Sequence, residues 1–226
     1  MDEIIPKFTG VIVTPARMDI PTLPGRPLRP LGRETVLGQW LKRARLVSPN
    51  VRVIVTTSDQ QSDRPILEHC LSAGVPCLVD SSTNAQLHLE EVICSLCIDG
   101  VAFCSLSNPL FEPSLLRAAF AHLVETRSEY VTYSGLPLGC AVEVLSRQAY
   151  LDLARGLRAG KPFSASVLPA PFLYSAPELS FKCETEADYL RLLSLYSELL
   201  PNADGIVGLD DVIALVQKSQ PLRRAA

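Results

Sequence analysis

The chain has no surplus of positive charge. Its 21 Lys and Arg against 24 Asp and Glu leave a net charge of −3, whereas a general nucleic-acid binder needs a basic surface to neutralise phosphates. No apolar run approaches the ~20 residues that a membrane-spanning helix requires, so no membrane partner is expected. The opening Met1-Asp-Glu-Ile-Ile-Pro lacks the basic start and apolar centre of a secretory leader. Histidine is scarce, and His69, His88 and His122 fall on predicted helices without a matched partner. They read as surface or core filler. There is no internal repeat, low-complexity tract or flexible linker. The seven cysteines are odd in number and scattered, which suits a reduced, cytoplasmic protein rather than a disulfide framework. Cys70, Cys77, Cys94 and Cys104 lie in apolar runs and read as small buried hydrophobes. Cys94-Ser-Leu-Cys97 has the spacing of a metal or redox pair but no second ligand pair.

What is present is a core. Apolar residues make up 47% of 226 positions, enough for one α/β domain over 1–226. Val51–Thr57 is β-branched and nearly all apolar, as in a strand covered on both faces. Val11–Thr14, Val75–Val79, Val101–Ser105, Tyr130–Tyr133, Ala141–Leu145, Leu168–Tyr174 and Leu179–Cys183 also read as strands. Helical patterns start near Glu34 (with Trp40 in the core), at Ser62-Asp63 (capping a helix to Gly74) and at Asn84 (capping Ala85–Cys97). Others cover Ser114–Thr126 behind Pro113, Arg147–Leu157, Thr185–Leu199 and Leu209–Gln217. This alternation predicts a three-layer αβα, Rossmann-like fold with a mostly parallel sheet. Residues 134–182 hold strands in quick succession and read as a small antiparallel insertion over the sheet. The tail Pro221–Ala226 reads as frayed.

The segment Val11-Ile-Val-Thr-Pro-Ala-Arg-Met-Asp-Ile-Pro-Thr-Leu-Pro-Gly-Arg-Pro-Leu28 has the order strand, basic Gly/Pro loop, helix. That order builds a phosphate cradle from backbone N–H groups and guanidinium forks. Arg17 is either a surface arginine or a phosphate ligand. Leu23-Pro-Gly25 is either an ordinary turn or a nucleotide contact. Asp59 ends a buried strand, as a turn residue or a pocket residue. Ser107 and Asn108 follow another strand, where α/β sheets place their sites, as a structural turn or as ligand donors. Glu143, in an apolar strand, is either a partnered buried carboxylate or a substrate contact. Glu184 sits beside a helix start, as a cap neighbour or a metal ligand.

The first loop resembles that of the CMP-sugar synthetases, P-A-R-x-x-S-x-R-L-P-G-K-P-L, through Pro15, Ala16, Arg17, Leu23, Pro24, Gly25, Pro27 and Leu28. Arg26 stands for the family's lysine and Thr22 for its second arginine. Further segments resemble the SpsF-like, spore-coat branch of the cytidylyltransferases in the same order. They are Val55–Asp59 (V-A-T-S-D), Ala73–Cys77 (L-G-V-P-V), Leu106–Pro113 (G-D-C-P-L-I-D-P), Gly139–Val144 (G-L-D-V-E-V), Cys183–Asp188 (V-D-T-P-E-D) and Leu209–Leu215 (L-E-D-V-L-A-L).

The resemblance implies the nucleotide-diphospho-sugar transferase fold and transfer of CMP from CTP to an acidic sugar or similar metabolite of polysaccharide or secondary metabolism. It implies catalytic Arg17 and Arg26 on the triphosphate. Pro15, Ala16, Leu23, Gly25, Asp59, Ser107 and Asn108 would line the nucleotide pocket, Glu143 would face the acceptor, and Glu184 would hold magnesium. It also implies a homodimer joined through strands of the 134–182 insertion. The chain departs from the pattern at the metal: Ser107, Ala141 and Glu184 replace three aspartates, and Ser81–His88 lacks the family's charges. Magnesium prefers hard, charged oxygen ligands. A second reading therefore stands beside the enzyme, that of an inactive relative kept as a nucleotide- or sugar-binding or assembly subunit.

Overall fold

A computed structural model describes residues 8–80, 85–158, 160–202 and 205–219. The strands are β1 (Gly10–Pro15), β2 (Pro30–Leu31), β3 (Glu34–Thr35), β4 (Val51–Ser58), β5 (Cys77–Asp80), β6 (Gly100–Phe103), β7 (Tyr130–Ser134), β8 (Glu143–Ser146) and β9 (Ala165–Pro169). The helices are α1 (Val36–Arg45), α2 (Arg64–Ser72), α3 (Ala85–Ser95), α4 (Pro113–Thr126), α5 (Arg147–Ala154), α6 (Glu186–Leu199) and α7 (Leu209–Ser219). Seven strands form one sheet in the order β5-β4-β1-β6-β8-β7-β9, and β2 and β3 form a separate ribbon.

Alternation along the central strands assigns the layers, because successive side chains leave opposite faces. Ile12, Val55 and Ala102 join one core cluster with Trp40 of α1, Ile66 of α2 and Phe120 of α4. Val11, Val13, Ile54 and Val101 join a second cluster with Ile93 of α3 and Tyr150 of α5. A third cluster packs Leu23 and Leu31 against Tyr189, Leu192 and Tyr196 of α6 and Val212 of α7. This fastens the loop after β1 to the C-terminal helices. The expected αβα architecture is what forms.

The antiparallel element differs from the expectation in its place. β8 pairs antiparallel with both β6 and β7, so it lies within the sheet rather than over it. β9 begins at Ala165, pairs parallel with β7 and closes the edge. Phe172–Tyr174 is a 3₁₀ turn, and of the expected strand Leu179–Cys183 only a bridge from Leu138 to Ser180 remains. Three prolines between 169 and 177 remove donors that a strand would need. The first helix starts at Val36 behind an N-capping Thr35, where propensity alone suggested Glu34. Asn84, the expected cap of α3, the side chain of His88 and the tail Pro221–Ala226 lie outside the described residues. Cys94 and Cys97 are exposed and Cys77 is half-buried, so of the four cysteines read as buried only Cys70 and Cys104 are. Cys94 sits on the outer side of α3, where Arg155 donates to its sulfur at 3.6 Å.

Candidate functional site

The carboxyl ends of β1, β4 and β6 lie side by side, because β1 pairs in parallel with both neighbours. The loop after β1 is a compact knot. Several of its amides are committed to the protein itself: Ala16 N donates to Thr56 O, Leu23 N to Ile20 O, Gly25 N to Met18 O and Arg26 N to Leu23 O. Gly25 takes a left-handed φ of 72°, which a side chain would resist. The side chain of Leu23 is wholly buried, so it holds the loop to the C-terminal helices and presents no surface to a ligand. Pro15 is exposed and Ala16 buried.

Arg17 is half-buried and paired on two sides. Its Nη2 lies 2.9 Å from Asp19, and its Nε lies 2.8 Å from Asp63. Asp63 is the residue that the sequence placed as a helix cap. It caps nothing. Its wholly buried carboxylate instead accepts from Met18 N at 2.7 Å and from Ser58 Oγ at 2.5 Å. The cause is topological: β4 lies beside β1, and the turn after β4 brings Asp63 under the first loop.

Arg26 is 7% exposed. Its Nη1 donates to the Cys183 carbonyl at 3.2 Å, while its Nε is buried without a hydrogen-bond partner among the described residues. Burial pushes the guanidinium pKa down, opposed by the nearby Cys183 and Glu184. Cys183 in turn donates its amide to Ser107 O at 2.8 Å. The first loop, the turn after β6 and the segment before α6 are thereby tied together.

Two cavities open along this edge. One, of about 290 Å³, is lined by Ser58, Asp59, Gln60, Asp63 and Arg64 among others. The other, of about 420 Å³, is lined by Ser107, Asn108, Leu138, Ala141, Lys182 and Glu184 among others. Ser105 and Ser107 pair their hydroxyls at 2.8 Å at its wall. The Nζ of Lys182 lies 3.3 Å from both carboxylate oxygens of Glu184.

The structure thus gathers Ser107, Asn108 and Glu184 in one cavity and puts Asp59 in the other. Arg17 and Arg26 flank them without lining either. Glu143 stands apart on β8: it is exposed and accepts from Tyr130 Oη at 2.9 Å, so it is not the buried carboxylate that its apolar strand suggested. Burial, reinforced by Glu143, pushes the Tyr130 pKa up to about 12.

The wound, mostly parallel sheet with helices on both faces defines an α/β protein of the nucleotidyltransferase fold. The chain belongs to the cytidylyltransferase family, whose sequence model matches residues 11–196. It is 23% identical over 228 residues to the spore coat polysaccharide biosynthesis protein SpsF of Bacillus subtilis, covering 92% of this chain and 94% of that one. It is 25% identical to the 3-deoxy-manno-octulosonate cytidylyltransferase of Chromohalobacter salexigens, covering 83% of this chain and 72% of that protein. Among solved structures, a cytidylyltransferase from Leptospira borgpetersenii superposes with a TM-score of 0.78 at 20% identity, covering 94% and 95% of the two chains. A CMP:2-keto-3-deoxy-manno-octonic acid synthetase solved with CTP superposes with a TM-score of 0.60 at 15% identity, covering 84% and 99%.

Proposed function

We propose that this protein transfers CMP from CTP to an acidic sugar or related metabolite, in polysaccharide or secondary-metabolite synthesis. In that reaction an acceptor oxygen bonds to the α-phosphorus, the bridge to the β-phosphate breaks, pyrophosphate leaves with the bonding electrons, and the acceptor proton passes to solvent. Such a step is governed by charge neutralisation and in-line positioning. The observation that carries the reading is the 420 Å³ cavity, which gathers an ammonium, a carboxylate and the Ser107–Asn108 donors in a chain of this family. Arg17 and Arg26 would supply positive charge at its rim, Asp59 would line the nucleotide side, and Glu143 would meet the acceptor from β8.

Among the described residues no group of three or more His, Cys, Asp or Glu side chains is placed to hold a metal ion. The one carboxylate at the expected position, Glu184, already faces Lys182. That donor set fits magnesium poorly.

The second reading, a binding subunit without turnover, is favoured by the state of the first loop. Arg17 is ion-paired to Asp19 and Asp63, and the Met18, Leu23, Gly25 and Arg26 amides are occupied. Pyrophosphate release with CTP and a panel of acidic sugars separates the two. Release supports the transferase. CTP binding with no release across the panel supports the binding subunit. No CTP binding at concentrations on the order of millimolar removes the transferase. We also propose a cytoplasmic homodimer joined through the 134–182 strands. Among the described residues no helix is long and apolar enough to cross a membrane.

A further inference from the structure

We propose that Lys182 supplies, as a fixed ammonium, the positive charge that a divalent ion would otherwise bring to the 420 Å³ cavity, so that this chain binds its nucleoside triphosphate without metal. The inference rests on the cytidylyltransferase reading of the same site.

Three observations carry it. First, the Lys182 ammonium is already at the carboxylate: its Nζ lies 3.3 Å from each oxygen of Glu184, and both residues line the cavity. A cation bound to Glu184 would share that carboxylate with a like charge, whereas an entering phosphate would meet an ammonium whose three N–H donors Glu184 does not use up.

Second, the rest of the wall is neutral. It presents the Ser107 hydroxyl, paired with Ser105, the Asn108 amide and Ala141. These groups can hydrogen-bond phosphate oxygens, but they add no charge to hold a divalent ion.

Third, the segment bearing Lys182 is fixed in place. Leu138 N donates to Leu179 O and Phe181 N to Leu138 O, at 2.9 and 2.7 Å. Gly139 runs so close that a Cβ there would sit 2.5 Å from Lys182 N. On the next residue, Cys183, the carbonyl takes the Arg26 guanidinium and the amide is bonded to Ser107. Arg26 and Lys182 thus bracket Glu184 with two resident positive charges.

The test is calorimetric titration of CTP into the full-length protein, once with EDTA and once with magnesium. Wild type is expected to bind with the same Kd under both conditions. Lys182→Met is expected to weaken binding in EDTA by about tenfold or more, and Lys182→Arg to keep most of it, as loss and retention of a charge-assisted contact would. Lys182→Asp, which sets a second carboxylate beside Glu184, is expected to make binding magnesium-dependent. Lys182 is partly exposed, and circular dichroism of each variant confirms the fold. Wild-type binding that collapses in EDTA overturns the inference and leaves the cytidylyltransferase reading standing. So does a Lys182→Met protein that binds like wild type in EDTA. No CTP binding under either condition overturns both.

Discussion

The Nε of Arg17 lies 2.8 Å from Oδ2 of Asp63, a carboxylate with no solvent exposure, 46 positions further along the chain. The same carboxylate holds Met18 N and Ser58 Oγ, so one side chain joins the loop after β1 to the end of β4. Asp63→Ala would leave these donors unpaired in the interior and is expected to cost about 3 kcal/mol of stability. Urea unfolding measures it. CTP binding should weaken in parallel, because Arg17 would lose its orientation. A loss under about 0.5 kcal/mol would show that water replaces the carboxylate and that the knot is not structural.

Gly139 supports the cavity by close approach. It has φ +84°, and an added Cβ would stand 2.5 Å from Lys182 N and 2.7 Å from Phe181 C, both backbone atoms. Gly139→Ala is expected to cost at least about 3 kcal/mol, since left-handed strain and a clash add. Gly74 is the control: its φ is +63° with nothing within 4 Å of the added Cβ. Alanine there should cost only the strain, about 1–2 kcal/mol. Thermal or chemical denaturation of the two variants checks the difference.

How far the sequence was legible follows from which contacts are local. Val51–Thr57 and Val101–Ser105 declare themselves as buried strands by composition, and the first loop by Pro-Ala-Arg and Leu-Pro-Gly. The partners of those residues were not legible, because partners are set by strand order. Asp63 reads as a cap from its neighbours, and only the adjacency of β1 and β4 shows that it serves Arg17. Lys182 carries no local signal, being one lysine between Phe181 and Cys183. Its partner Glu184 is only two residues on, but its importance appears when the bridge from Leu138 to Ser180 sets this segment on the cavity wall. Alternation over five residues could have hinted that Glu143 faces out of β8. The apolar neighbours Ala141, Val142 and Val144 outweighed that hint.

The edge at β9 is apolar. Phe172 is 98% exposed, and Val167 and Leu173 nearby are 60% and 56% exposed. A single sheet edge bearing such side chains is a pairing surface. Native mass measurement is expected to give a dimer, and Phe172→Glu to shift it toward monomer without changing the circular dichroism spectrum. A wild-type monomer would remove the dimer proposal, and a Phe172→Glu dimer would place the interface elsewhere.

The start of α6 carries a reciprocal cap immediately after Glu184. Thr185 Oγ1 accepts from Asp188 N at 3.2 Å, and Asp188 Oδ2 accepts from Thr185 N at 2.9 Å and from Glu184 N at 3.2 Å. Partial burial would raise the Asp188 pKa. The bonds from the Thr185 hydroxyl and the two amides outweigh it, and the carboxyl titrates below its usual range. A carboxyl depressed in the folded state contributes stability that is complete above its unfolded pKa, about 3.9, and is lost as pH falls through the lower folded value. Asp188→Ala is therefore expected to cost about 1 kcal/mol at neutral pH. The gap from wild type should narrow only below about pH 4, as the wild-type carboxyl protonates. Denaturation midpoints of both proteins from pH 7 down to pH 3 test the sign, and a gap that widened toward acid would contradict the capping role of Asp188.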